Sequence, residues 1–237
     1  MSEIATLLQE ILAEARKLGV EVDAYWHPPA ADREIAETAA MLPFELPSDI
    51  LDFYRWQDGV HLDGYTPGFG LIPRFVFPSV RESVDTTLSL VDAADDPDVR
   101  WQKTWYALAT DLFGDYLSVE TSGSSPNYGR LFAIVAGCEP YPAFSSFKCM
   151  LASVLECYKA AAYFLHEDGF LDERREQSHL IYRALNKELS PLHLHSKEER
   201  TEGMRRAKRQ IEMERRPDLL QKLRDMCKGF GLDFDDL

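Results

Sequence analysis

The stretch LPSDILDFYRWQDG, residues 46–59, decides the fold. Pro47 confines the residue before it to extended geometry, and Pro43 does the same one step earlier. Ser48 stands where a helix cap belongs, so the spacing predicts a helix from Ser48 to about Gln57. Ile50, Leu51, Phe53 and Tyr54 supply its buried side, and Gly59 stops it. Short helix, acidic turn residue and glycine are followed at once by a different texture. From Val60 to Phe77, Gly64, Pro67, Gly68, Gly70 and Pro73 punctuate short aromatic runs, which predicts brief strands and turns.

Upstream, Ile4, Leu7, Leu8, Ile11, Leu12, Ala15 and Leu18 recur at three- and four-residue spacing before Gly19, the pattern of an amphipathic helix. A short extended piece, Val20 to Trp26, ends at Pro28-Pro29. A second helix follows over about Asp32 to Met41, with Asp32 and Glu34 at its dipole-positive start. Downstream, Ser79-Val-Arg-Glu82 matches a capping box and opens a helix to about Asp92. Strands are predicted at Trp105–Ala109, Tyr116–Glu120, Leu131–Val135 and Tyr141–Phe144, with Thr121–Gly129 having the composition of a hairpin loop. Ser145 or Ser146 then opens the longest predicted helix, to about Asp168, on the stripe Phe147, Met150, Leu151, Val154, Tyr158, Ala161, Ala162 and Leu165. Gly169 ends it. Helices are predicted again over Phe170–Leu189, Ser196–Arg216 and Pro217–Cys227. The expected architecture is α+β: a mainly antiparallel central sheet flanked by helices over residues 1–169, with an all-helical C-terminal extension over 170–237.

The 237 residues carry a formal net charge of −14, unevenly spread. Residues 1–164 hold 24 acidic and 11 basic side chains, whereas residues 165–237 hold 16 and 15. Such a surface repels phosphate backbones, which speaks against nucleic acid and for a basic partner. No apolar run approaches a membrane span, and the N-terminal segment, interrupted by Glu3, Glu10 and Glu14, lacks the pattern of a secretory signal. The expectation is a cytoplasmic protein without membrane contact. Cys138, Cys149, Cys157 and Cys227 form no CxxC pair and read as reduced packing residues.

Two segments, residues 46–59 and the run from Trp105 through DLFGDYLSVE to Glu120, resemble the SUKH superfamily. That superfamily includes fungal cell-wall assembly regulators of the Smi/Knr type and many bacterial immunity proteins. The similarity spans about residues 30–165, with Asp58 standing where asparagine is usual. Both residues tolerate the turn before glycine. The resemblance implies an α+β fold and a non-enzymatic role. For a bacterial member it implies neutralising a secreted toxin, often a nuclease, by direct binding. The alternative it implies is an intracellular scaffold or regulator.

Catalytic patterns are weak. His193-Leu-His195 lacks nearby ligands to complete a metal site. Gly68-Phe-Gly70 is too short for a phosphate loop, and Ser124 and Ser125 sit in a loop without a nucleophile elbow. Asp111 and Asp115 flank Gly114 as tight-turn residues more naturally than as paired catalytic carboxylates. No catalytic residue, metal or cofactor is expected. Candidate contacts to a basic protein partner are Trp56, Asp58, Asp63, Asp111, Asp115 and Glu120. Trp101 and Trp105 read as core. The RRAKRQ run, interleaved with glutamates, reads as a solvated helix face. Oligomeric state stays open.

Overall fold

A computed structural model describes residues 2–20, 26–60, 71–96, 99–167, 169–186 and 224. The chain divides into two compact units, Met1–Ile134 with Pro140–Leu192, and Val135–Glu139 with His193–Leu237. All elements below belong to the first. The predicted helices beyond residue 190, apart from the single helical residue Arg224, and Asp63 lie outside the described residues.

Helix α1 (Glu3–Lys17) starts where the Ser2 side chain accepts a hydrogen bond from the Ala5 N–H, and it buries Ile4, Leu8, Ile11, Leu12 and Ala15. Helices α2 (Asp32–Ala39) and α3 (Ser48–Trp56) follow. Ser48 is the first helical residue of α3 and not its cap: the cap is Pro47, which offers no side-chain bond. Proline's fixed φ already supplies the entry geometry. Helix α4 (Val80–Ala93) opens on the predicted capping box, in which Ser79 Oγ accepts from the Glu82 N–H and Glu82 Oε2 accepts from the Ser79 N–H.

Strands β1 (Trp105–Thr110), β2 (Tyr116–Glu120), β3 (Leu131–Ile134) and β4 (Tyr141–Phe144) form an antiparallel sheet in sequence order. The two faces follow from period-two alternation. Tyr106, Leu108, Leu117, Val119, Leu131 and Ala133 are buried on one face. Trp105 and Ala107 occupy the other, where Trp101, Leu90, Val91, Ala94, Val99, Tyr116, Phe132 and Ile134 pack with them. Burial on both sides explains why WYALA, residues 105–109, is apolar throughout and does not alternate. Beyond β1 the sheet is continued by single bridges, Val76 to Thr110 and Trp26 to Val60, with the Val60 N–H donating to Phe77 O at 2.8 Å.

Of the two expected openings, Ser145 and Ser146, helix α5 (Phe147–Lys159) takes the Ser146 cap, its Oγ accepting from the Cys149 N–H, but it ends nine residues before the predicted stop near Asp168. Ala161 stands at φ 53°, which turns the chain out of the helix. Tyr163–Leu165 then forms strand β5, paired antiparallel with β6 (Leu171–Glu173). The apolar stripe continued through this segment because a buried strand needs the same residues as a helix face. Of the span predicted as Phe170–Leu189, the described residues, which end at Asn186, are helical only from Arg175 to Leu185, helix α6. Cys138, Cys149 and Cys157 are free thiols. Burial pushes the Cys157 thiol up to about 12, so it stays protonated and packs as an apolar group.

The interior is aromatic. Phe53 on α3 meets Tyr54, Phe77, Phe147 and Trp26 with ring centroids 5.0–6.2 Å apart. Beneath it Tyr54 and Tyr106 share a hydroxyl contact of 2.7 Å, and the Tyr54 hydroxyl also donates to Ser83 Oγ at 3.1 Å. Burial raises both phenols above their ordinary range, so these are neutral donors and acceptors that satisfy one another.

Candidate functional site

The candidate contact residues sort into two corners and one outlier. Trp56 and Asp58 lie at the end of α3. Trp56 is half-buried and packs edge-on against Trp26, with ring centroids 5.5 Å apart. Asp58 reaches across 22 residues of sequence, where its Oδ1 accepts the Val80 N–H at 2.8 Å and joins Ser79 and Glu82 in closing the first turn of α4. Asparagine could accept the same bond, which gives the Asp-Gly pair a physical meaning.

Asp58 carries a cost for that position. Burial, with smaller pushes from Glu34 and Glu82, raises its carboxyl to about 6, against the opposing hydrogen bond from Val80. Because the folded value lies above the unfolded one near 3.8, the folded state binds more protons between roughly pH 4 and 6. Ionisation of Asp58 therefore lowers stability as pH rises through that window. Asp58→Asn keeps the acceptor and removes the charge. It is expected to raise stability at pH 7 by about 1 kcal/mol, after allowing for solvent screening of a half-buried group, and to flatten the pH dependence between 4 and 6. Urea melts of both proteins at pH 4 and pH 7 test this. A variant that is less stable than the parent at pH 7 contradicts it.

Asp111 and Asp115 form the second corner, the turn between β1 and β2. Asp111 Oδ1 accepts from the Phe113 N–H at 2.8 Å and the Asp115 N–H at 2.9 Å, and its own N–H donates to Asp115 O at 3.1 Å. The Asp115 carboxylate is 3.7 Å from an Arg74 guanidinium nitrogen. The turn reading of this pair thus holds in the geometry. Glu120 is not brought to them. It lies at the other end of β2, is 6% exposed and accepts the Ser122 N–H at 2.9 Å. The structure therefore joins Asp111 with Asp115 and Trp56 with Asp58, and sets Glu120 apart.

Sequence reasoning passed over two of the three residues between the aspartates. Leu112 and Phe113 are exposed at the tip of the turn. Only the hairpin geometry shows that they point to water. Also unforeseen is a pair of open depressions beside Pro43–Glu45, of about 580 and 480 Å³; the larger is bordered by Lys103, Thr121 and Tyr128.

Among the described residues, no group of three or more histidine, cysteine and acidic side chains could hold a metal ion, and no helix is long and apolar enough to cross a membrane. What the arrangement offers is hydrogen-bonded turns, half-buried aromatics and carboxylates, a repertoire for recognition. A comparison with curated proteins finds no match. The family model of the SMI1/KNR4 family (SUKH-1) matches residues 29–153, a span that runs from the approach to α2 into α5 and includes α3, the Asp58-Gly59 corner, α4, the whole four-stranded sheet and the β1–β2 turn. With more than half of its length so matched and with the α+β order of elements that the two segments implied, this chain belongs to the SMI1/KNR4 family (SUKH-1).

Proposed function

We propose that this chain is an immunity protein that neutralises a cognate secreted toxin, with nucleases foremost among the candidate toxins, by direct one-to-one binding and without catalysis. The observation that carries the reading is an excess of 13 negative charges over residues 1–164 in a domain of this family. A nuclease site is basic because it holds phosphates, and an acidic blocker competes there directly and arrives fast by electrostatic steering. Trp56, Asp58, Asp63, Asp111, Asp115 and Glu120 are the proposed contacts.

Asp58, Asp111 and Glu120 also hold backbone N–H groups, so their charge is best removed by amide replacement, which keeps the acceptor oxygen. On this reading the cognate toxin domain should associate with the parent protein at least about tenfold faster at low than at high salt. Joint Asp58→Asn, Asp63→Asn, Asp111→Asn, Asp115→Asn and Glu120→Gln replacement should remove most of that difference, read by stopped-flow. An association rate indifferent to salt and to the replacements sinks the electrostatic reading.

The alternative, drawn from the resemblance to fungal cell-wall assembly regulators, is a non-enzymatic scaffold that binds several intracellular partners. Gene context separates the two: a large toxin gene immediately upstream supports immunity, and an isolated locus supports the scaffold.

A further inference from the structure

The turn between β1 and β2 presents an exposed apolar tip. Phe113 is 93% exposed and Leu112 is 41% exposed. The tip is also held in one shape. Asp111 Oδ1 binds two N–H groups, the Leu112 N–H donates to Thr110 Oγ1 at 3.0 Å, and Asp111 pairs back to Asp115 through the backbone. Gly114 at φ 112° supplies the sharp return. Leu112 itself stands at φ 66°, the left-handed region in which asparagine or glycine sits with less strain than leucine. A turn that served only to connect two strands would do better with those residues. Leucine and phenylalanine here incur both backbone strain and exposed apolar surface. Neither is recovered unless the tip is buried against something else.

We propose that Leu112–Phe113 is a preorganised anchor that inserts into an apolar pocket with a cationic rim on a folded partner protein. The inference rests on the partner-binding reading above and names the residue that would dominate it. The tip is convex, so the complementary surface is concave. Asp111 at its root and the net charge of −14 select a rim of lysine and arginine. The same charge disfavours an anionic lipid surface and a second copy of this chain, both of which it repels. Because the turn is already fixed, docking Phe113 freezes only the few torsions of its side chain, which is the economy that makes rigid aromatics effective anchors.

The test uses the full chain with a photo-crosslinking phenylalanine analogue at position 113, expressed in its native cells, to capture and identify the partner. The partner is then purified and its affinity measured for the parent protein, Phe113→Ser, Leu112→Gly and Tyr128→Ser. Tyr128 is the control, exposed in the loop that follows the opposite end of β2. Expected are a crosslink inside an apolar, lysine- or arginine-rimmed pocket and a weakening of about 30-fold or more for Phe113→Ser, chiefly in the dissociation rate. Leu112→Gly should bind more weakly while its melting temperature is unchanged or higher, and Tyr128→Ser should bind within about twofold of the parent. Equal affinity of the parent and Phe113→Ser overturns the anchor and leaves partner binding standing. Crosslinks confined to other copies of this chain or to lipid overturn it as well. If no protein binds the parent chain, the immunity reading fails and the anchor fails with it.

Discussion

Gly59→Ala is expected to destabilise the protein by at least about 3 kcal/mol, enough to leave a domain of ordinary stability largely unfolded at 37 °C. A β-carbon added at Gly59 would lie 2.2 Å from Pro78 O, 2.4 Å from Pro78 C and 2.6 Å from Phe77 O. All three are backbone atoms, so no side-chain rotation relieves the clash. The backbone at Gly59 also stands at φ 72°, where alanine is strained even in open space. Relief by separating the two segments would break the Val60 to Phe77 hydrogen bond and pull Asp58 from the Val80 N–H. It would also disturb the bond by which the His27 N–H reaches Gly59 O at 2.9 Å. Equilibrium urea unfolding measures the loss, and a cost below about 1 kcal/mol would show that the approach of residues 59 and 78 is not a tight one.

Phe53→Ala is the second large effect, expected to cost about 3–5 kcal/mol. Phe53 is fully buried, and its ring touches aromatics from four other places in the chain: the segment at Trp26, its own neighbour Tyr54, the extended piece at Phe77, and α5 at Phe147. Removing the ring leaves a cavity whose walls are themselves large rings held by other contacts, so little collapse can fill it. Phe53→Leu fills more of the space and should lose distinctly less. Thermal melts of the three proteins rank them. If alanine and leucine at this position melt together, the aromatic cluster is not the keystone described.

The two substitutions show how the opening stretch works, and how much of it could be read beforehand. Residues 50, 51, 53 and 54 announced a buried helical face by spacing alone; three of the four are buried, and Leu51 at its edge is half-buried. The Ser79–Glu82 capping box and the four main strands were legible for similar reasons: caps and alternation are local, and local signals survive folding. The helix predicted to Asp168 failed because apolar content at Ala162, Tyr163 and Leu165 cannot say whether the residues lie on a helix or a paired strand. That choice was made by pairing with Leu171–Glu173 and by the left-handed turn at Ala161, neither of which has a strong local signature.

The site was less legible than the fold. Asp58, Asp111 and Glu120 were chosen because carboxylates recruit basic partners, yet each also accepts a backbone N–H within this chain. An aspartate beside glycine looks alike whether it greets a partner or ties a turn. Phe113 showed the opposite problem. Its exposure depends on where a hairpin ends, and the letters of DLFGDY do not disclose it.

Helix α1 packs on α5, with Lys148 Nζ 2.6 Å from Glu3 Oε1 and Lys159 Nζ 3.6 Å from Glu10 Oε2. The sheet between them is a simple meander whose strands pair with sequence neighbours. On the ribosome these two facts impose a schedule. Helix α1 can meet α3 early, but its main partner, α5, follows only on the order of ten seconds later at ordinary rates of elongation. The meander can pair strand by strand as it appears. Helix α1 is thus made well before the helix that shelters most of its apolar face.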